Sequence, residues 1–181
     1  MQVKPALTFI TTPNNPTGGS VSISQIKSLA DAVAKVGGLL IVDEAYAEFS
    51  TEESAVTLVA KNPQVVVIRT MSKAFAFAGA RVGYMVCESS VKDAMMLVRL
   101  PYHLSALTQA AASVALDFKD ELLGYVSELI RAREAMNAQL LALGLTVVPS
   151  SANFILFTGF STEAPKLWSE LLGKGVLIRD V

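Results

Sequence analysis

Along the chain, short continuous apolar runs alternate with longer stretches in which apolar residues recur at helical spacing. Ala6 to Thr11 reads as a strand that stops at Pro13-Asn14-Asn15-Pro16-Thr17-Gly18-Gly19, a dense cluster of turn formers. Ser22 and Gln25 stand at capping-box spacing. Ile26, Leu29, Ala30 and Val33 then keep to one helical face until Gly37-Gly38 ends it. Leu39 to Val42 is apolar throughout, as in a strand buried on both faces, and Val65 to Arg69 repeats the pattern. Asp43-Glu44-Ala45-Tyr46 and Thr70-Met71-Ser72-Lys73 follow at their carboxyl ends. A short strand, Val82 to Cys87, precedes a helix from Ser90 to Val98, which Pro101 closes off. Ala106 to Leu143 is helical with a break near Asp117 to Asp120. Beyond it, Leu145 to Val148, Asn153 to Phe157, a helix over Ala164 to Leu172 and a last strand run Val176-Leu177-Ile178 make a smaller α/β unit. The pattern predicts an α/β chain with a boundary near 118–124, dividing it into 1–120 and 121–181.

Composition narrows the class. Apolar residues make up 52% and charged residues 17%, against roughly 45–50% and about 25% in ordinary soluble domains. Every apolar run is broken well short of the roughly 20 residues a membrane span needs, so no transmembrane helix is expected. The start, Met1-Gln2-Val3-Lys4-Pro5, has none of the parts of a signal peptide, and the expected location is the cytoplasm. Contacts with another subunit, or with further parts of a longer protein, are the expected home for the apolar excess. With a net charge of −1 and scattered basic residues, the chain carries no footprint for nucleic acid. One cysteine, Cys87, and one histidine, His103, leave too few soft ligands for a metal site, and His103 is given no catalytic part.

Ligands of open parallel sheets bind outside the carboxyl ends of the strands, so the polar clusters at 13–18, 43–46 and 70–73 are expected to face one crevice. Lys73 is either a reactive amine or a solvated surface lysine. Asp43, placed directly after an apolar strand, needs a partner for its charge or serves as a turn residue. Asn15 is either a ligand contact or turn chemistry. Arg81 offers a fork suited to phosphate, and Thr70 and Ser72 offer hydroxyls, although all three could instead be structural. Glu44 is expected to have a structural partner, and Phe75, Phe77, Tyr84 and Trp168 are read as core or interface.

The set Asn15-Pro16-Thr17-Gly18, Asp43-Glu44-Ala45-Tyr46, Thr70-Met71-Ser72-Lys73 and Arg81 resembles the fold-type I pyridoxal-phosphate enzymes, the aspartate-aminotransferase superfamily. Further phrases resemble the usual wording of its histidinol-phosphate aminotransferase subfamily. They are Val42-Asp43-Glu44-Ala45-Tyr46-Ala47-Glu48-Phe49, Arg69-Thr70-Met71-Ser72-Lys73-Ala74-Phe75, Ala78-Gly79-Ala80-Arg81-Val82-Gly83, Pro101-Tyr102-His103-Leu104-Ser105 and Leu177-Ile178-Arg179-Asp180. The likeness runs from Thr8 to Val181. It implies part of a large domain, with a mixed, mostly parallel sheet and helices on both faces, plus part of a smaller C-terminal α/β domain. It also implies pyridoxal 5'-phosphate as cofactor, Lys73 as its Schiff-base lysine and proton shuttle, and Asp43 as partner of the pyridinium nitrogen. Tyr46 and Asn15 would bond the cofactor's phenolate oxygen, and Arg81, Thr70 and Ser72 its phosphate. Asn153 and Arg179 resemble positions near the substrate.

The implied reaction exchanges an amino group between histidinol phosphate and 2-oxoglutarate, as a step of histidine biosynthesis, in a full-length homodimer. An aromatic aminotransferase or a threonine-phosphate decarboxylase of the same fold would share these residues. Family members are longer, so the resemblance further implies a chain that begins inside the large domain and stops inside the small one. On that reading the isolated chain is expected to be catalytically silent, or to act only as an interaction module.

Overall fold

A computed structural model of the chain describes residues 3–181. Four strands form its main sheet in the order β1 (Leu7–Thr11), β2 (Leu39–Asp43), β3 (Val65–Thr70) and β4 (Gly83–Val86). The first three run parallel and β4 is antiparallel to β3. Helix α1 (Ile23–Ala34) makes the crossover from β1 to β2, starting at the Ser22–Gln25 capping box. The one-turn helix α2 (Val56–Val59) lies between β2 and β3.

Register explains which side chains meet. Leu40 pairs with Thr8 and Val65, and Val42 with Ile10 and Val67, so one face of the sheet presents an aliphatic row. Ile26, Ala30 and Val33 of α1 pack on it, together with Ala55, into a fully buried cluster. Each Val, Leu or Ile withdrawn from water in this way contributes roughly 1.5–3 kcal/mol. On the other face, Phe9 of the edge strand β1 remains 68% exposed.

Beyond β4 come α3 (Ser89–Val98), α4 (Ala106–Asp117) and the long α5 (Lys119–Ala142). The expected break falls at Phe118, which ends α4 and caps α5. Leu123, Val126 and Ile130 of α5, at spacings of three and four, pack against Tyr46, Phe49, Ala74 and Ala152 in a second cluster. A two-stranded antiparallel ribbon, β5 (Thr146–Val148) and β6 (Leu156–Thr158), and α6 (Ala164–Gly173) complete the described elements.

Two sequence expectations give way here. Asn153 to Ile155 lie in a loop, because the Ser150 hydroxyl donates to Phe154 O at 2.7 Å and folds the chain back before β6 begins. Val176 to Ile178 form no strand. Val176 N–H bonds back to Leu171 O at 2.9 Å and Trp168 Nε1 donates to Ile178 O at 2.9 Å, so the run is tied to α6 rather than to a ladder.

Candidate active site

The carboxyl ends of β1, β2 and β3 lie side by side, since Thr11 pairs with Asp43 and Asp43 with Ile68. The turn after β1 is closed by its own backbone: Asn14 N–H reaches Gly19 O at 2.8 Å and Gly18 N–H reaches Asn14 O at 2.6 Å. Gly18 has φ +77°, and a Cβ there would stand 2.2 Å from Ser150 Oγ, so both conformation and space demand glycine. Across that contact Ser151 N–H donates to Gly18 O at 2.7 Å, joining the 150 loop to the turn.

From this turn Asn15 Nδ2 donates to Tyr46 Oη at 3.1 Å, linking residues 31 apart. Tyr46 is only 8% exposed, with its ring in edge contact with Phe154 at 5.2 Å between centroids. The exposed Lys73 places Nζ 5.4 Å from the centroid of the same ring, within cation–π range. Among the described residues Lys73 has no carboxylate within ion-pair distance. Asp43 is half-buried, and its Oδ1 accepts from Ala45 N–H at 3.0 Å, which sets the carboxylate's direction at the strand end.

The remaining residues are placed differently. The Thr70 hydroxyl donates to Val82 O at 3.1 Å and accepts from Ser72 N–H at 3.0 Å, so it shapes the turn that presents Ser72. Arg81 is exposed, with φ +55°, and its Nη1 donates to Ala78 O at 3.0 Å, turned toward its own loop. Asn153 is exposed next to Phe154, and Arg179 is exposed in the irregular segment after α6. The geometry thus gathers Asn15, Tyr46 and Lys73 by direct contact and sets Asp43 on the neighbouring strand end.

Sequence reading overlooked several residues here. Phe154 had no signal beyond its neighbour Asn153. Arg133 Nη1 donates to Ala152 O at 2.8 Å and so ties α5 to the 150 loop. Arg69, which ends an apolar run, is the structural partner expected of the buried Glu44, which it meets through Nη2 at 2.7 Å and Nε at 3.1 Å, and it reaches Glu48 through Nη1 at 3.2 Å. Burial works against the guanidinium charge, but the hydrogen bond and attraction of Glu44, with Glu48 and Tyr84 adding, outweigh it and hold the group above its ordinary value. The signal available was an acid and a base at the ends of adjacent apolar strands.

A mostly parallel sheet whose strand ends carry an amine, a carboxylate and a phenol is an α/β fold with a candidate ligand site at the carboxyl ends of its strands. The family model for aminotransferases of class I and II matches residues 2–181, and the chain belongs to that family. It is 55% identical, over 98% of its length, to the histidinol-phosphate aminotransferase of Mycolicibacterium vanbaalenii, of which it covers 48%. In structure it is similar to the histidinol-phosphate aminotransferase of Sinorhizobium meliloti in complex with pyridoxal-5'-phosphate. That match has a TM-score of 0.86 and 28% identity, covering 96% of this chain and 48% of that one. The L-threonine-O-3-phosphate decarboxylase of Porphyromonas gingivalis shares the fold, with a TM-score of 0.86 at 24% identity over 97% of this chain and 54% of that one. The chain spans about half the length of the relatives it matches.

Proposed function

We propose that the chain carries the pyridoxal-phosphate-binding core of an aminotransferase acting between histidinol phosphate and 2-oxoglutarate. The observation that carries this reading is the convergence of Asn15, Tyr46 and Lys73 from three strand ends. The donor set fits the cofactor: an amine outside the ion pairs of the described residues, a carboxylate oriented by a backbone N–H, a phenol held by an amide, and a hydroxyl on a tight turn. The bound cofactor supplies an aldehyde that captures amines and a ring that draws electrons from the substrate's Cα. Lys73 Nζ is the amine that would hold the aldehyde and, when free, would serve as the base that moves the substrate's proton. Asp43 would favour a protonated ring nitrogen by its opposite charge. Tyr46 and Asn15 would act together on the phenolate oxygen, while Ser72, positioned through Thr70, and Arg81 would serve the phosphate. Asn153 and Arg179 are the proposed substrate contacts. The 55% identity to the Mycolicibacterium vanbaalenii enzyme supports this substrate pair over the alternatives within the fold.

None of the described helices is long and apolar enough to cross a membrane. The unpaired apolar surface on α3 and α4 supports assembly as a homodimer in the full-length protein. The direct test incubates the chain with pyridoxal phosphate, reduces with borohydride and locates the adduct by peptide mass spectrometry. Label confined to Lys73, and lost in Lys73→Ala, is the expected result. Label spread over surface lysines, unchanged by that substitution, overturns the assignment.

A further inference from the structure

The half-buried Arg69 and the buried Glu44 form a charge cluster that the proposed chemistry does not use. Glu44 is 2% exposed and sits two residues before Tyr46, and Arg69 sits four residues before Lys73. The parallel register pairs Asp43 with Ile68, and Glu44 and Arg69 are the next residue along each chain.

Three guanidinium nitrogens are engaged. Nε and Nη2 converge on Glu44 Oε2, Nη2 also donates to Ser54 Oγ at 2.9 Å, and Nη1 takes Glu48. Glu44 is fixed in turn: its Oε2 accepts from Ser54 Oγ at 2.7 Å and its Oε1 from Ala55 N–H at 2.6 Å. Tyr46 is therefore flanked on both sides, at 44 and at 48, by carboxylates bound to one arginine of the neighbouring strand. Buried ion pairs add little net stability, because desolvation offsets the attraction, but they penalise any displacement that separates the charges. A planar fork with fixed donor directions imposes more geometry than a lysine ammonium would.

We propose that this cluster is a clamp holding the Tyr46 segment in place relative to the Lys73 segment, which makes Arg69 a positioning residue for cofactor capture. The inference rests on the cofactor reading above and goes beyond it by assigning the alignment of the two segments to one side chain.

The test compares the full 181-residue chain with Arg69→Lys, which keeps the charge and loses the fork, and with the charge-neutral pair Glu44→Gln/Arg69→Met. The two variants guard against a single failure to fold, since Arg69→Met alone strands a buried carboxylate. Pyridoxal phosphate affinity, the fraction of borohydride-fixed label on Lys73 and the pH midpoint of the bound cofactor's absorbance are measured alongside the urea midpoint. In the folded variants, affinity and Lys73 labelling are expected to fall about ten- to a hundred-fold, the scale set by misplacing a reacting group by an ångström, and the pH midpoint moves. Wild-type affinity, labelling and pH midpoint in a variant whose urea midpoint alone has dropped would show a merely structural pair and overturn the clamp. A wild-type chain that takes no label at Lys73 overturns the cofactor reading itself, and the clamp with it.

Discussion

Tyr46 shows how much a single residue's placement depends on others. Its ring is held by Phe154, its hydroxyl by Asn15, and its open face meets Lys73 Nζ, so three distant parts of the chain define one phenol. Thr8 is the converse case. Its Oγ1 is buried without a hydrogen-bond partner, and it stands beside Leu40 on the aliphatic face of the sheet. A buried hydroxyl left unpaired forfeits its hydration and receives nothing in exchange. Thr8→Val keeps the shape and the strand preference while removing that cost, and is expected to stabilise the chain by about 1 kcal/mol. A rise in the urea midpoint with unchanged slope would be the signature, whereas a fall would mean that the hydroxyl is satisfied by water.

Among the elements, α3 has a conditional start. Its N-cap is Glu88, whose carboxylate accepts from both the hydroxyl and the N–H of Ser90, and these bonds hold it below the usual carboxylate range. Because the folded value lies below the unfolded one, the cap's contribution is present above the ordinary carboxylate range. It disappears as pH falls through the depressed value. Amide exchange in the first turn of α3 should therefore accelerate in acid, after correction for intrinsic rates. Glu88→Gln should flatten that dependence, and an unchanged profile in the variant would count against the cap. The clamp of Arg69 behaves differently with pH: its raised guanidinium keeps the charge throughout the accessible range.

At the scale of the whole molecule, accessible surface is the informative quantity. The chain exposes 11558 Å² at 19.2 kDa, whereas a compact monomer of that mass exposes about 8,400 Å². Exposed apolar side chains run along α3, α4 and the segment between them, where Leu97 is 87% and Tyr102 97% exposed. Continuous patches of this kind are covered in working proteins. Size-exclusion chromatography with light scattering should find the isolated chain associated at micromolar concentration and binding hydrophobic dyes. A compact, dye-free monomer would show that the surface closes on itself.

Local pattern determined the elements: the strands β1 to β4, the capping box of α1, the split between α4 and α5, and the three polar clusters at the strand ends were all legible. In each case the apolar period, or the cap and turn residues, acts within a few positions of itself. Motif wording identified the family and with it the residues on which the chemistry is proposed to rest. Tertiary structure alone decided that Asn15 reaches Tyr46, that Phe154 backs the phenol, that Arg69 joins two strand ends, and that Thr70 and Arg81 turn to nearby carbonyls. It also denied a strand to Val176–Ile178, an apolar run with all the local marks of one. The physical reason is common to these cases. A hydrogen bond, an ion pair or a strand ladder needs a partner, and the partner's position is set by register and packing across the fold, which no stretch of sequence contains by itself.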